Sequence, residues 1–150
     1  MRREKRTNSR IASPAGKKTV RVSESSECEK VLWVFDMVDN KGQFAFDVNR
    51  EDFEHRNFLE KLPAYSRMTW AEVRRQTHEC GKSNHHYLTE VSRLSRAAQD
   101  RIKQLGLEGD TDRIYSFSLD NMLRIIGLRD REKFHALWYD ARHEVYPVSR

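Results

Sequence analysis

Six side chains near the end of this 150-residue chain are of the types that phosphodiester chemistry uses: Arg124, Arg129, His135, Asp140, His143 and Tyr146. A guanidinium holds a phosphate, and an imidazole exchanges a proton near neutral pH. Metal-free cleavage of RNA needs a base for the 2′-hydroxyl, cations for the developing charge and an acid for the leaving oxygen. Arg124, His135, His143 and Tyr146 are therefore the candidate catalytic residues, and Arg129, Lys133 and Arg142 the candidate nucleic-acid contacts. For each residue taken singly, the plainer alternative is a solvated side chain on an exposed sheet face.

Two smaller patterns bear on chemistry. Asp140 precedes His143 by three residues, a spacing that lets a carboxylate fix the imidazole tautomer or, alternatively, close an Asx-type turn beside a surface histidine. His78-Glu79-Cys80 followed by His85-His86 invites a zinc reading, but a C-x4-H-H spacing without a second spaced pair fits a polar loop better. No metal or cofactor is implied, and no P-loop, dinucleotide-binding glycine pattern or HExxH helix is present.

The elements that must position these residues are legible in the apolar pattern. Residues 113–147 hold three short β-branched and aromatic runs, separated by Asp120-Asn121 and by Asp130-Arg131-Glu132-Lys133, which predicts a three-stranded antiparallel meander. Alternation along it places Arg124 with Ile126, and His135 with Leu137 opposite Phe134, Ala136 and Trp138. Arg124 and His135 on one concave face would form the site. Val31 to Val38 reads as a buried strand, Asp39-Asn40-Lys41-Gly42 as a hairpin turn and Gln43 to Phe46 as the returning strand. Between the two sheet regions lie three helices. The first starts near Arg50 with Asn49 as cap and ends or kinks at Pro63; the second runs from Trp70 to about His78 behind a Thr69–Glu72 capping box. The third spans Arg96 to Leu105, capped by Ser95, buries Ala98, Ile102 and Leu105, and stops at Gly106. The expected fold is α+β: an antiparallel sheet, N-terminal hairpin plus C-terminal meander, packed against two or three helices.

Charge is unevenly distributed. Residues 1–22 carry eight Lys and Arg against one acid, a net +7, which leaves residues 23–150 at −2. The basic pI thus belongs to the N-terminal segment and says nothing about what the domain binds. Residues 1–29 are read as a disordered basic tail and residues 30–150 as a single domain. The tail is either an arm for polyanions or a bystander. Cys28 and Cys80 form no close pair, no apolar stretch approaches the roughly 20 residues of a membrane span, and no apolar run follows the basic start. These features favour reduced thiols and a cytoplasmic location; an organellar transit peptide is the alternative.

The meander, with Arg124-Ile125-Ile126-Gly127 on one strand and Phe134-His135-Ala136-Leu137-Trp138 on the next, resembles the RelE/ParE/HigB superfamily of bacterial toxins. The resemblance covers about residues 88–147. Length, the extra N-terminal hairpin and the ending His143-Glu144-Val145-Tyr146-Pro147 depart from the family's pattern. It implies a metal-independent endoribonuclease of a toxin–antitoxin or mobile-element system, with RNA or the ribosome as target and a cognate antitoxin protein as partner. Arg124 would hold the phosphate, and His135, His143 or Tyr146 would move protons. The competing expectation is a non-catalytic nucleic-acid- or protein-binding accessory module of a bacterial or phage mobile element. Exposure of Trp33, Trp70 or Trp138 would favour it, because a binding surface wants aromatic anchors; core packing is the alternative for all three.

Overall fold

The computed structural model describes residues 26–77 and 84–147. The basic stretch 1–22 and the His78-Glu79-Cys80 group of the zinc reading lie outside the described residues. The fold is α+β, built on a five-stranded mixed sheet. In chain order the elements are β1 (Leu32–Val34), α1 (His55–Ser66), α2 (Trp70–Arg75), β2 (His86–Tyr87), α3 (Arg96–Gln104), β3 (Ile114–Ser118), β4 (Arg124–Asp130) and β5 (Lys133–Asp140). Short 3-10 turns occupy Val91–Arg93 and Glu108–Arg113. The strand order is β1-β5-β4-β3-β2.

The meander forms as its pattern predicts, with β3–β4 and β4–β5 antiparallel. The N-terminal hairpin does not. β1 pairs parallel with β5, Trp33 opposite Phe134 and Val34 opposite His135, and residues 43–46 are not a strand. The cause is the burial of Asp39, which the sequence reading placed in a solvated turn. Its carboxylate accepts two bonds from Arg101 on α3, each 2.8 Å, and one from the Trp138 indole at 2.9 Å. The Asp39 N–H donates to the Leu137 carbonyl, and its own carbonyl accepts from Phe46. The segment is therefore drawn across the end of β5 instead of folding back on β1. Gly42 still supplies the positive φ of the bend, at 88°.

Both faces of the sheet are covered. On one, Leu62 and Tyr65 of α1 and Trp70 and Val73 of α2 pack on Tyr115, Phe117, Ile125, Phe134 and Tyr139. On the other, Ala98 and Ile102 of α3 pack on Ile114, Ile126, Leu128, Leu137 and Trp138. Phe44 enters the second core and Phe46 packs on the first, so two residues that a strand would place on one face fall on opposite sides of the sheet. A register shift at Ile126/Gly127 leaves Leu137 unpaired and carries Trp138 to the α3 side, away from Phe134. The exposed concave face expected for Arg124 and His135 is absent among the described residues.

The helix signals fare unevenly. Thr69 and Glu72 form both bonds of the capping box, and Ser95 caps α3 through the Ala98 N–H. Gly106 adopts a φ of 70° just past α3. The first helix starts later than Asn49 predicts, because Arg50 is engaged by Asp52 and by the Ala45 and Tyr139 carbonyls. The Tyr139 hydroxyl instead accepts the Glu54 N–H, fixing the start of α1. Pro63 lies inside α1 without ending it; it is exposed, so the carbonyl it leaves unbonded can face water.

Gly127 sits where the shifted strands approach most closely. A Cβ there would lie 2.3 Å from the His135 carbonyl oxygen and 2.7 Å from the Phe134 ring. Neither neighbour has room to retreat. Gly127→Ala is expected to destabilise the fold by about 1–3 kcal/mol, the usual cost of overpacking. Chemical denaturation checks this, and an unchanged midpoint would contradict it. Asp39→Asn should cost a similar amount, about 1–3 kcal/mol, because it confronts the Arg101 and Trp138 donors with an amide.

Candidate functional site

The sequence-predicted residues separate into three places. Arg124 opens β4, whereas His135 lies opposite Leu128, four residues further along the same strand, roughly 13 Å at strand spacing. Between them Ile126 and Trp138 are buried under α3. His135 instead pairs with Asp36, Nδ1 to Oδ1 at 2.8 Å, the parallel β1–β5 register having brought the two strands together. That bond, assisted by the charges of His135 and Lys133, holds the Asp36 carboxyl below its ordinary range even against partial desolvation. Lys133 itself is exposed at the start of β5.

Arg129 faces the opposite core. It stacks 3.9 Å over Trp70, and donates to the Arg131 carbonyl, the Ser26 hydroxyl and Glu27. This guanidinium is 4% exposed and already committed, so it anchors the start of the described chain and offers a phosphate little. Residues 26–29, which the sequence reading assigned to the tail, are thereby tied to the fold, with Ser26 buried.

The third place is the turn after β5. The Asp140 carboxylate accepts the Glu144 and Val145 N–H groups, which is the Asx-type closure; it makes no hydrogen bond to His143. Burial pushes the Asp140 carboxyl up despite those bonds. His143 adopts a left-handed φ of 58°, and its Nδ1 is buried without a hydrogen-bond partner among the described residues. Tyr146 lies under the Arg93 guanidinium, 5.2 Å from its carbon, with the His86 ring 6.3 Å away. Arg142 is exposed beside an acidic groove that includes Asp52 and Glu54. Arg124, His135 and the His143–Tyr146 turn thus do not share one site.

Arg124 lines a second cleft. Lys61 and Tyr65 of α1, Gln76 and Thr77 after α2, Asn84, and Ser118 to Asn121 of the β3–β4 turn surround it, enclosing about 620 Å³. The Arg124 Nη1 donates to the Asp120 and Leu123 carbonyls. It forms no ion pair, although every other arginine shielded from solvent among the described residues sits on a carboxylate: Arg50 on Asp52, Arg101 on Asp39, Arg113 on Asp110, Arg129 on Glu27. Asp120 does not fill that role. One oxygen accepts the Met122 and Leu123 N–H groups and the other the Asn57 amide. Burial accordingly depresses the Arg124 pKa, with Asp140 and Asp120 opposing from a distance.

A chain of hydrogen bonds forms one wall. The Ser118 N–H meets His85 Nδ1 at 3.0 Å, and His85 Nε2 meets Gln76 Oε1 at 2.7 Å. A backbone N–H only donates, so Nδ1 accepts and the single proton of the neutral ring is on Nε2. Burial, reinforced by the positive charges of Arg124, His86 and Lys61, lowers the His85 pKa to about 3. Sequence reasoning weighed His85 only as a metal ligand and singled out none of Lys61, Tyr65 and Gln76. No spacing rule joins residues contributed by a helix, a loop and a turn.

No known family model matches the chain, and no curated protein or solved structure shows significant similarity to it. No helix among the described residues is long and apolar enough to cross a membrane.

His85 makes the fold acid-sensitive. The folded state keeps the ring neutral down to about pH 3, whereas the unfolded chain takes up a proton below about 6.5. Stability is therefore lost as pH falls from about 6.5 toward 3, by up to ~1.4 kcal/mol per pH unit from this group. In His85→Asn the pH dependence of thermal unfolding should be shallower over that window; identical slopes would show that His85 does not contribute.

Proposed function

We propose that the protein is a non-catalytic nucleic-acid-binding module that holds backbone phosphate in the Arg124 cleft. The observation that carries this reading is a half-buried guanidinium that makes no ion pair with the described residues, beside Lys61 in a polar cleft. Arg124 pays a desolvation cost that a phosphate would offset, because charge-assisted hydrogen bonds strengthen as water is excluded. The net +7 of residues 1–22 supports the same reading, since such a segment attracts any polyanion without reading its sequence. The tryptophans lend a binding module, of nucleic acid or of protein, no support: Trp70 and Trp138 are fully buried and Trp33 packs on Phe117 and Phe134, so none is an exposed anchor.

Arg124→Gln and Lys61→Ala should each weaken oligonucleotide binding about tenfold, the value of one hydrogen bond to a charged group. Deleting residues 1–22 should flatten the dependence of log affinity on log salt by several units, at about 0.7 per lost single-strand contact. Titrations of the full chain and the three variants at low and moderate salt measure both effects. Binding that is indifferent to Arg124 and Lys61 would overturn the reading.

A second reading, the metal-independent endoribonuclease of toxin type, is favoured by one observation: the His135–Asp36 pair, a carboxylate-oriented imidazole with Lys133 nearby. On that reading Asp36 fixes the ring so that Nε2 serves as the base. Expression of the wild-type protein would arrest bacterial growth and cut transcripts, and His135→Ala would do neither. A wild-type protein that leaves growth and transcripts intact disposes of it.

A further inference from the structure

The orientation of an amide is ordinarily ambiguous, since its oxygen and nitrogen look alike. At Gln76 the hydrogen bonds settle it. Ser118 N–H can only donate to His85 Nδ1, so His85 Nε2 carries the proton and the Gln76 atom facing it is the oxygen. A doubly protonated ring would set Nδ1–H against the Ser118 N–H at 3.0 Å, donor against donor. The Gln76 NH2 is therefore turned away from His85. Gln76 lines the cleft, and its NH2 makes no hydrogen bond to the described residues. The Nε and Nη2 of Arg124 likewise make no hydrogen bond to the described residues, only Nη1 being used by the Asp120 and Leu123 carbonyls.

We infer that the cleft takes one unpaired nucleotide, its phosphate bound by Arg124, Lys61 and the NH2 of Gln76, and that His85 is the positioning residue that turns this amide toward the ligand. The inference rests on the nucleic-acid reading above and narrows it. These groups supply donors only, which suits the oxygens of a phosphate. Asn84 and Asn121 border the same cleft with side chains that hydrogen-bond to no described residue, and each offers a donor and an acceptor to a base edge. A cleft of about 620 Å³ has the size of a small-ligand site, typically ~300–1,000 Å³. A duplex carries its phosphates on a stiff convex backbone that cannot lower one of them onto a half-buried guanidinium. A single strand can splay a nucleotide outward, and a free nucleotide needs no strand at all.

The test measures binding of the full chain to a labelled single-stranded oligonucleotide and to its duplex, with a nucleoside monophosphate as competitor. The single strand should bind more tightly than the duplex, and the mononucleotide should displace it. Gln76→Glu keeps the oxygen that faces His85 but replaces the NH2 with a second carboxylate oxygen. It should weaken single-strand binding about tenfold or more, leave duplex binding unchanged and leave the thermal transition near that of the wild type. His85→Asn should weaken single-strand binding in the wild-type background but add nothing to Gln76→Ala. Independent, additive losses would reduce His85 to a structural role and reject its positioning one. Duplex binding as tight as single-strand binding, or a mononucleotide that fails to compete, overturns the unpaired-nucleotide ligand. If Arg124→Gln weakens binding and Gln76→Glu does not, this inference falls while the phosphate-binding reading stands; if neither variant has an effect, both fall.

Discussion

The buried carboxylate of Asp39 is the interaction on which the arrangement of the chain turns. An ionised carboxylate 5% exposed is tolerable only when its lone pairs are filled, and Arg101, Trp138 and the Lys41 N–H fill them. Burial alone would raise its pKa; those hydrogen bonds outweigh it, so Asp39 titrates below its usual range and stays charged. Its stabilising effect is present above the ordinary carboxylate pKa and lost only as pH falls through the lower folded value. The three donors come from α3, from β5 and from the segment after Asp39 itself. One side chain therefore joins the helix of one face, the central meander and the N-terminal segment, and it is this joint that lays β1 beside β5.

That parallel pairing decides where chemistry can occur. With α1 and α2 on one face of the sheet and α3 on the other, most strand side chains enter one core or the other, whatever their type. Arg129 shows the consequence. A guanidinium in that position has to find Glu27, Ser26 and a Trp70 face, and having found them it serves packing. Among the residues of the candidate sites, solvent contact is kept by His135 with Asp36 beside the short edge strand β1, by Arg124 at the first position of β4, and in the turn after Asp140.

The parts of the fold legible in sequence were those governed by local rules. Thr69 and Ser95 cap helices because a short side chain three residues from a free N–H is all a cap requires. The meander was legible because each of its strands pairs with the next across a turn. What escaped depends on contacts remote in sequence. Asp39 and Arg101 are 62 residues apart, and Asp39-Asn40-Lys41-Gly42 by itself is indistinguishable from a hairpin turn. The shift at Gly127 reversed the side on which Trp138 falls, since a single unpaired residue inverts all later alternation. Arg124 was singled out for its type and its strand. Lys61 and Gln76 were not, because only the packing of α1 and α2 against the sheet brings them to the same cleft.

Arg124 also differs physically from the other shielded arginines. Their carboxylates cancel charge within the protein, and removing either partner would leave the other stranded. Arg124 is held by the carbonyl oxygens of Asp120 and Leu123, which fix its position while leaving its net charge intact. The two nearby carboxylates are occupied elsewhere, Asp120 in holding the β3–β4 turn and Asn57 of α1, and Asp140 in accepting the Glu144 and Val145 N–H groups. Where an acid could neutralise this guanidinium, the cleft has the amides Gln76 and Asn84. Amides there orient without neutralising, and the cleft keeps its positive field. That combination, a cation fixed by carbonyl dipoles and bordered by Lys61 and by amides, is suited to an anion that arrives from outside the chain.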